Sequence, residues 1–321
     1  MARVAVVIVT HNSASKIGGC LDAVAAQTSA GDVQTIVVDN ASTDATLAEV
    51  GARGVRCLAN PNNAGFAAAV NQGIRATDAP LILLLNPDAH LVTGIEALTA
   101  HFKDTQTGAA GGMLTGADGH PQTGFMARNL PTPTALIFEV LGINTLWPRN
   151  PVNWHYRCLG KDPVTLELVE QPAGAFLMFP REVWERVGGF DERFWPIWFE
   201  DVDFCARLKE AGLAVYYEPN AVARHEGAHS IGTLPLEMRE RYWYGSLLGY
   251  TAKHCTWLTC EGICFAVFLG AALRAVKGCP RYGLKAFAVY GAVCRLALGR
   301  MFQLRRGSGS TVVQCNGVKN S

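Results

Sequence analysis

Apolar residues in the first hundred positions fall into short unbroken runs, separated by stretches where they recur every three or four residues. Residues 4–10 (Val-Ala-Val-Val-Ile-Val-Thr) are almost wholly apolar and mostly β-branched, the pattern of a strand buried on both faces. Similar runs predict strands at 35–39, 55–59 and 81–85, and the spacing between them predicts helices at 15–27, 45–53, 65–76 and 93–102. Strand and helix alternate, so the expected fold class is α/β, a doubly wound, mostly parallel sheet flanked by helices. Such sheets hold ligands at the carboxyl ends of their strands.

Beyond Ala109 the rhythm changes. Gly, Pro and Thr accumulate up to Pro133, which predicts loops and short strands. Residues 170–180 read as a strand entering a turn, and 181–187 as a short helix stopped by Gly188 and Gly189. Residues 201–211 read as a helix capped by Gly212, followed by a strand at 213–217 and a helix at 236–253.

Residues 257–304 are apolar with scattered positive charge. The stretch 258–276 approaches membrane-spanning length, but Glu261 and Arg274 interrupt it. After Pro280 the chain is amphipathic and basic. An in-plane pair of interfacial helices is the preferred reading, with a transmembrane hairpin or a soluble helical cap as alternatives. The residues from 307 to 321 are expected to be disordered.

Charge sharpens this division. The chain carries 28 basic and 27 acidic residues, but 251–321 holds ten of the basic ones and a single acid, Glu261. A basic, apolar C-terminal part suits a membrane surface or an anionic substrate. Nucleic acid is disfavoured as a partner, because the basic residues are spaced through apolar sequence and form no polar stripe. The ten cysteines sit mostly within apolar runs, as reduced core residues do, and the N-terminus enters a strand without a leader-like segment. A cytoplasmic protein is expected. Cys255, Cys260 and Cys264 form no CxxC pair and read as helix-face residues.

Six polar clusters interrupt the pattern. Thr10-His11-Asn12-Ser13 follows the first strand, and Asp39-Asn40-Ala41-Ser42-Thr43-Asp44 follows the second. Asp39 could accept hydrogen bonds from a base or ribose, or could belong to a simple cap and turn. Asn60-Pro61-Asn62-Asn63-Ala64-Gly65-Phe66 opens a helix, where backbone amides favour phosphate, unless it is only a tight loop. Asn86-Pro87-Asp88 ends a fully apolar strand, a costly place for a carboxylate without a partner such as a divalent cation. An aromatic run, Phe194 to Phe199, leads into Glu200, Asp201 and Asp203, with Trp198 and Arg207 alongside. That grouping suits a sugar-binding cleft better than packing, although an acidic residue at a helix start can also be a cap. His225-Glu226-Gly227-Ala228-His229 has the letters of a zinc-protease motif, but Gly227 within it and a strand-like segment before it oppose the helix that chemistry needs.

Taken together these residues resemble the family 2 glycosyltransferases of the GT-A fold, and more closely their rhamnosyltransferase-like branch. The resemblance runs from Val4 to about His254 and rests on residues 7–12, 37–44, 62–67, 84–88, 188–194 and 198–207, then His225 and Ser230. It implies a GT-A-type domain over 1–235, with a nucleotide-sugar half at 1–108 and an acceptor and catalytic half at 109–235. A helical, membrane-interfacial region at 236–306 and the tail would follow. It implies that Asp39 contacts the base, with Thr10, Asn12, Asn40, Asn63, Gly65 and Asn86 also on the donor. Asp88 and His225 would hold Mg²⁺ or Mn²⁺, with Asn86 standing where a DxD motif has its first Asp. Asp201 would be the catalytic base, Glu200 would assist it, and Trp198, Asp203 and Arg207 would line an acceptor cleft.

The expected reaction is an inverting transfer, of L-rhamnose from dTDP-L-rhamnose, to a glycan or polyprenyl-linked saccharide in cell-envelope synthesis. UDP-galactofuranose or UDP-glucose are alternative donors. The enzyme is expected to be peripheral to the inner face of the membrane, and a homo-oligomer is compatible with the sequence. A nicotinamide-dependent oxidoreductase is disfavoured because no GxGxxG follows the first strand. A non-catalytic carbohydrate-binding protein is disfavoured by the presence of Asp88, Asp201 and His225 together.

Overall fold

The computed structural model describes residues 2–27, 32–227 and 234–307. Two compact units emerge. The first comprises residues up to Thr132 together with Pro148–Pro235. The second groups Pro133–Trp147 with the C-terminal helices. His229, Ser230 and the tail beyond 307 lie outside the described residues.

The first unit is built on β1 (Val4–Thr10), α1 (Ala14–Ala26), β2 (Val33–Asn40), α2 (Thr46–Ala52), β3 (Arg56–Asn60), α3 (Phe66–Arg75) and β4 (Leu81–Leu85). Next come β5 (Ala89–Thr93), α4 (Ile95–Ala100), β6 (Thr107–Thr115) and β7 (Ala127–Arg128). Helices α5 (Pro133–Leu141) and α6 (Ile143–Leu146) belong to the second unit. The first unit resumes with α7 (Pro151–Tyr156), β8 (Glu167–Leu168), β9 (Gln171–Pro172), β10 (Phe176–Pro180), α8 (Arg181–Arg186), α9 (Glu200–Glu210) and β11 (Ala214–His225).

The sheet runs β3-β2-β1-β4-β10-β6-β11-β5, with β8 on β11. Its first four strands are parallel, as their βαβ rhythm predicts. All seven residues of β1 are buried, which accounts for its unbroken apolar sequence. The second half is mixed: β10 is antiparallel to β4 and β6, while β11 is parallel to β6 and antiparallel to β5. Helix α9 ends as expected at Gly212 (φ +72°), whose N–H bonds Lys209 O at 3.0 Å while Leu213 N–H reaches back to Leu208 O at 3.0 Å.

Three local expectations are corrected. Residues 107–115, at the start of a stretch read as loops and short strands from about Ala109, form a buried strand of nine residues. Its glycines answer crowding: a Cβ on Gly111 would stand 2.2 Å from Pro172 Cβ, and one on Gly112 would stand 2.1 Å from Phe176 Cε1. The strand expected at 213–217 continues to His225. A strand, β5, precedes α4 where a helix was expected to start directly.

In the second unit, α10 (Leu236–His254), α11 (Trp257–Tyr282) and α12 (Lys285–Gly307) pack on one another, and α11 also packs on α5. Helix α11 crosses α5 closely, since a Cβ on Gly270 would lie 2.0 Å from Val140 O. Arg274, expected to interrupt an apolar span, instead donates to the carbonyls of Val140 and, at 3.2 Å, Glu139, capping the C-terminus of α5. One side of α11 is buried through Ile263, Cys264, Val267 and Ala271. The other keeps Leu258, Phe265, Leu269, Leu273 and Val276 exposed, spaced to form a single stripe. Among the described residues α11 alone is long and apolar enough to cross a membrane.

Candidate active site

The loops after β1 and β2 are tied together by Asp39. Thr10 and Asp39 are register partners, and Thr10 Oγ1 donates to Asp39 Oδ1 at 2.8 Å. Ser42 supplies its hydroxyl to the same oxygen at 2.5 Å and its N–H to Oδ2 at 2.9 Å. Three of roughly four acceptor positions of this carboxylate are therefore filled, and Asp39 is 1% exposed. Asn12, at φ +52°, gives its N–H to Ser42 Oγ and accepts from Thr43 N–H, each at 2.8 Å. Asn40 donates to Gly65 O at 3.1 Å and accepts from Asn60 at 3.0 Å. Thr10, Asn12, Asp39 and Asn40 thus form one hydrogen-bonded rim joining the ends of three parallel strands.

Asn63 and Gly65 continue that rim. Asn63 Oδ1 accepts Gly65 N–H at 2.9 Å, and Gly65 sits at φ +88°. A Cβ there would also stand 2.7 Å from Trp195 Cδ1, so both conformation and contact require glycine. The aromatic loop closes over this point, because Pro196 O accepts Phe66 N–H at 2.7 Å. The first amide of α3 is therefore taken by the protein, an arrangement that fits the tight-loop alternative at this point.

Asp88 and His225 meet because β5 and β11 are antiparallel with Ala89 opposite His225. His225 Nε2 lies 3.4 Å from Asp88 Oδ1, and both residues are buried. Gln122, which no sequence signal marked, fixes the imidazole. Its Nε2 donates to His225 O at 2.7 Å, which turns Oε1 toward His225 Nδ1 at 3.0 Å. Nδ1 then donates to Gln122 Oε1, and Nε2 is the ring nitrogen that faces the carboxylate. Phe125 stacks flat on the ring, with centroids 5.3 Å apart.

An imidazole nitrogen and a carboxylate oxygen facing each other across this gap are atoms that could hold a cation. For metal–ligand bonds of about 2.1 Å, neighbouring ligand atoms lie roughly 3.0–3.4 Å apart. Among the described residues no group of three His, Cys, Asp or Glu side chains is arranged to hold a metal, so phosphate and water would complete the shell. His225 ends a strand, which removes the zinc-protease reading.

Three carboxylates open α9, where the helix dipole favours negative charge. They occupy different surroundings. Asp201 Oδ2 accepts Gly174 N–H and Gln171 Nε2, both at 3.1 Å, and Oδ1 accepts Val202 N–H at 2.8 Å. Glu200 is buried, and Oε2 has no hydrogen-bond partner among the described residues. Burial, and then the neighbouring Asp201 carboxylate, push the Glu200 carboxyl well above the usual range. Asp203 is fully buried and paired with Arg207 at 2.9 Å, so this pair braces the helix instead of lining a cleft, as had been expected of both residues. Trp198 (φ +79°) and Phe199 (φ +69°) precede the carboxylates in the left-handed region, a strained backbone of the kind found at functional sites.

A short segment links the two carboxylate centres. Gly174 binds Asp201, and the next residue, Ala175, accepts Asn86 N–H at 3.0 Å at the turn that carries Asp88. Gln171 and Gly174 were missed by sequence reasoning. The only available signal was the Pro-Ala-Gly break at 172–174 inside a presumed continuous strand.

Comparison with known proteins agrees with this architecture. The family model for glycosyl transferase family 2 matches residues 5–168, and that for the N-terminal domain of galactosyltransferase matches 168–229. The N-acetylglucosaminyl-diphospho-decaprenol L-rhamnosyltransferase of Mycobacterium tuberculosis is 32% identical over 245 residues, 70% of this chain and 76% of that protein. The O-antigen chain rhamnosyltransferase RfbN of Salmonella typhimurium is 26% identical over 253 residues, 75% of this chain and 70% of that protein. Among solved structures, GalNAc-T7 with UDP, GalNAc and Mn²⁺ matches with a TM-score of 0.57 and 16% identity, covering 97% of this chain and 58% of that one. The mannosyltransferase PcManGT of Pyrobaculum calidifontis, in complex with GDP-Man and Mn²⁺, matches with a TM-score of 0.51 and 17% identity over 95% of this chain and 86% of that one. With the rim of strand-end loops and the paired carboxylate centres, these matches mean that the chain belongs to glycosyl transferase family 2, as a rhamnosyltransferase-like glycosyltransferase of the GT-A fold.

Proposed function

We propose that the protein transfers L-rhamnose from dTDP-L-rhamnose to a hydroxyl of a lipid-linked saccharide, in cell-envelope glycan synthesis at the cytoplasmic membrane face. One observation carries the reading: the segment Gly174–Ala175 hydrogen-bonds Asp201 on one side and the Asn86–Asp88 turn on the other, putting a carboxylate base beside a cation-holding pair. Asp201, oriented by Gln171 and Gly174, takes the proton of the acceptor hydroxyl as it attacks the anomeric carbon opposite the leaving diphosphate. A single displacement of this kind inverts the anomeric centre. Alignment by the cleft residues contributes the largest share of the remaining acceleration.

Asp88 and His225 would hold Mg²⁺ or Mn²⁺, which when bound offsets charge on the diphosphate. Gln122 keeps His225 in the tautomer that ligation needs. Thr10, Asn12, Asp39, Asn40, Asn63, Gly65 and Asn86 shape the donor side, with Asp39 acting chiefly by holding the loops and offering its one remaining acceptor position. Trp198 borders the acceptor side, and Glu200 acts as a buried neutral neighbour of the base.

The exposed apolar stripe on α11 and the basic composition of the C-terminal helices support a peripheral, in-plane membrane association. The mycobacterial and Salmonella relatives are both rhamnosyltransferases, which supports rhamnose, and the diphospho-decaprenol in the name of the mycobacterial one supports a lipid-linked acceptor. The deciding experiment offers dTDP-L-rhamnose, UDP-galactofuranose and UDP-glucose in turn, each with Mn²⁺ and a diphospholipid-linked N-acetylglucosamine, and measures released nucleotide. Release from dTDP-L-rhamnose alone is expected; turnover confined to a UDP donor overturns the rhamnose assignment.

A further inference from the structure

The helical unit contains a feature that sugar transfer does not use. A groove of about 530 Å³ lies between α10 and α12, within the range of small-molecule sites, roughly 300–1,000 Å³. Arg241 from α10 and Arg295 and Arg300 from α12 line it, above an apolar floor that includes Leu248 and Leu296. Its one lining carboxylate is Glu237. No hydrogen bond or ion pair ties any of the three guanidinium groups to another described residue. Three cations facing one groove repel one another, and an anion between them reverses the sign of that interaction. The planar guanidinium fork matches phosphate oxygens in particular.

The surroundings of the groove indicate what carries the phosphate. Along α12, Phe287, Leu298 and Phe302 are exposed. At about 100° per residue, these three fall on one face that adjoins the groove on its Arg295 side, while Arg300 lies at the groove's far edge. A polar groove edged by bare apolar side chains suits an amphiphile with its head in the groove and its hydrocarbon against the helix. A Cβ at Gly245 or Gly299 would meet nothing within 4 Å, so the groove is open at both glycines.

We propose that this groove binds the phosphate or diphosphate head of a membrane amphiphile, an inference that rests on the membrane association proposed above for these helices. The test uses the full chain and sedimentation with vesicles of phosphatidylcholine alone, or doped with phosphatidylglycerol or with a polyprenyl diphosphate. Arg295→Gln/Arg300→Gln removes two groove cations, and Gly299→Leu fills the groove without changing charge. Arg281→Gln/Lys285→Gln removes two cations of the same unit that do not line the groove.

Wild-type protein is expected to bind phosphate-bearing vesicles more tightly than neutral ones. Both groove variants should lose that gain by roughly tenfold more than the Arg281/Lys285 control, equivalent to ~1.4 kcal/mol. A gain confined to polyprenyl diphosphate assigns the head to a lipid carrier, and a gain with either dopant assigns it to phosphates in general; both support the groove. Equal losses in the groove double variant and the control, with Gly299→Leu like wild type, overturn the groove while leaving diffuse membrane attraction intact. Failure of wild-type protein to bind any vesicle overturns the membrane reading itself.

Discussion

Asp201→Asn separates a base from a structural carboxylate. Asp201 accepts three hydrogen bonds, two at Oδ2 and one at Oδ1. An asparagine can turn its carbonyl oxygen toward Gly174 and Gln171 and keep both bonds, leaving its NH₂ against Val202 N–H. One lost bond costs about 0.5–1.5 kcal/mol, which for a unit of this size lowers Tm by roughly 2–4 °C per kcal/mol. Part of that is offset, because the charge that helps raise the Glu200 carboxyl is gone. The effect on turnover is of another order. Loss of a positioned base costs ~10²–10⁴-fold, or about 2.7–5.5 kcal/mol of barrier. Steady-state kinetics with the accepted donor should show kcat falling by that factor while donor affinity, measured by titration without acceptor, stays within about twofold of wild type. Near-normal kcat in a folded variant would refute the assignment of Asp201 as base. A parallel collapse of donor affinity would show that the carboxylate acts in binding.

Other substitutions probe the surroundings. Glu200→Gln mimics the neutral carboxyl that burial favours; native Glu200 holds its proton where the unfolded chain, with pKa about 4.3, has released it. Wild-type stability therefore declines as pH rises above that value, and the variant should gain Tm relative to wild type at pH 8 but not at pH 4; a difference independent of pH sinks this account. Arg207→Met strands the fully buried Asp203 and should cost ~3–5 kcal/mol in denaturant unfolding, with much of the loss restored by Asp203→Leu added to it. Arg274→Met removes charged donors from the end of α5 and should cost about 1.5–3 kcal/mol, read as earlier hydrogen exchange in 133–147; unchanged protection there contradicts the capping role.

The parallel half of the sheet was legible because its central strands, β1 and β4, are buried on both faces and carry uninterrupted apolar runs that announce themselves in composition alone. Strand β6 was hidden for the opposite reason. Its glycines and alanines are dictated by what packs on them, Pro172 and Phe176, and such residues read locally as loop. The same limit divides the site. Asp88, Asp201 and His225 were visible because a carboxylate at the end of an apolar strand, or an acidic group after aromatics, needs an explanation where it stands. Gln122 and Gln171 were invisible because an amide in a polar loop needs none. Their importance arises only when the fold brings Gln122 to His225 across 103 positions and Gln171 to Asp201 across 30.

Those amides also explain how an acid-rich domain can handle an anionic donor. Outside 251–321 the chain has eight more acids than bases, so a bare diphosphate meets net repulsion. The carboxylates near the site stand in distinct surroundings: Asp39 holding three hydrogen bonds from hydroxyl and backbone N–H donors, Glu200 pushed toward its neutral form, Asp203 paired with Arg207, and Asp88 set against the His225 imidazole. Asp201 remains, oriented by a side-chain amide and two backbone N–H groups, with no cationic side chain bonded to it among the described residues. These neutral donors hold the carboxylate in one orientation, which a general base needs. Neutral donors around the proposed base, with paired or hydrogen-bonded acids around them, suit an anionic donor on a negatively charged scaffold.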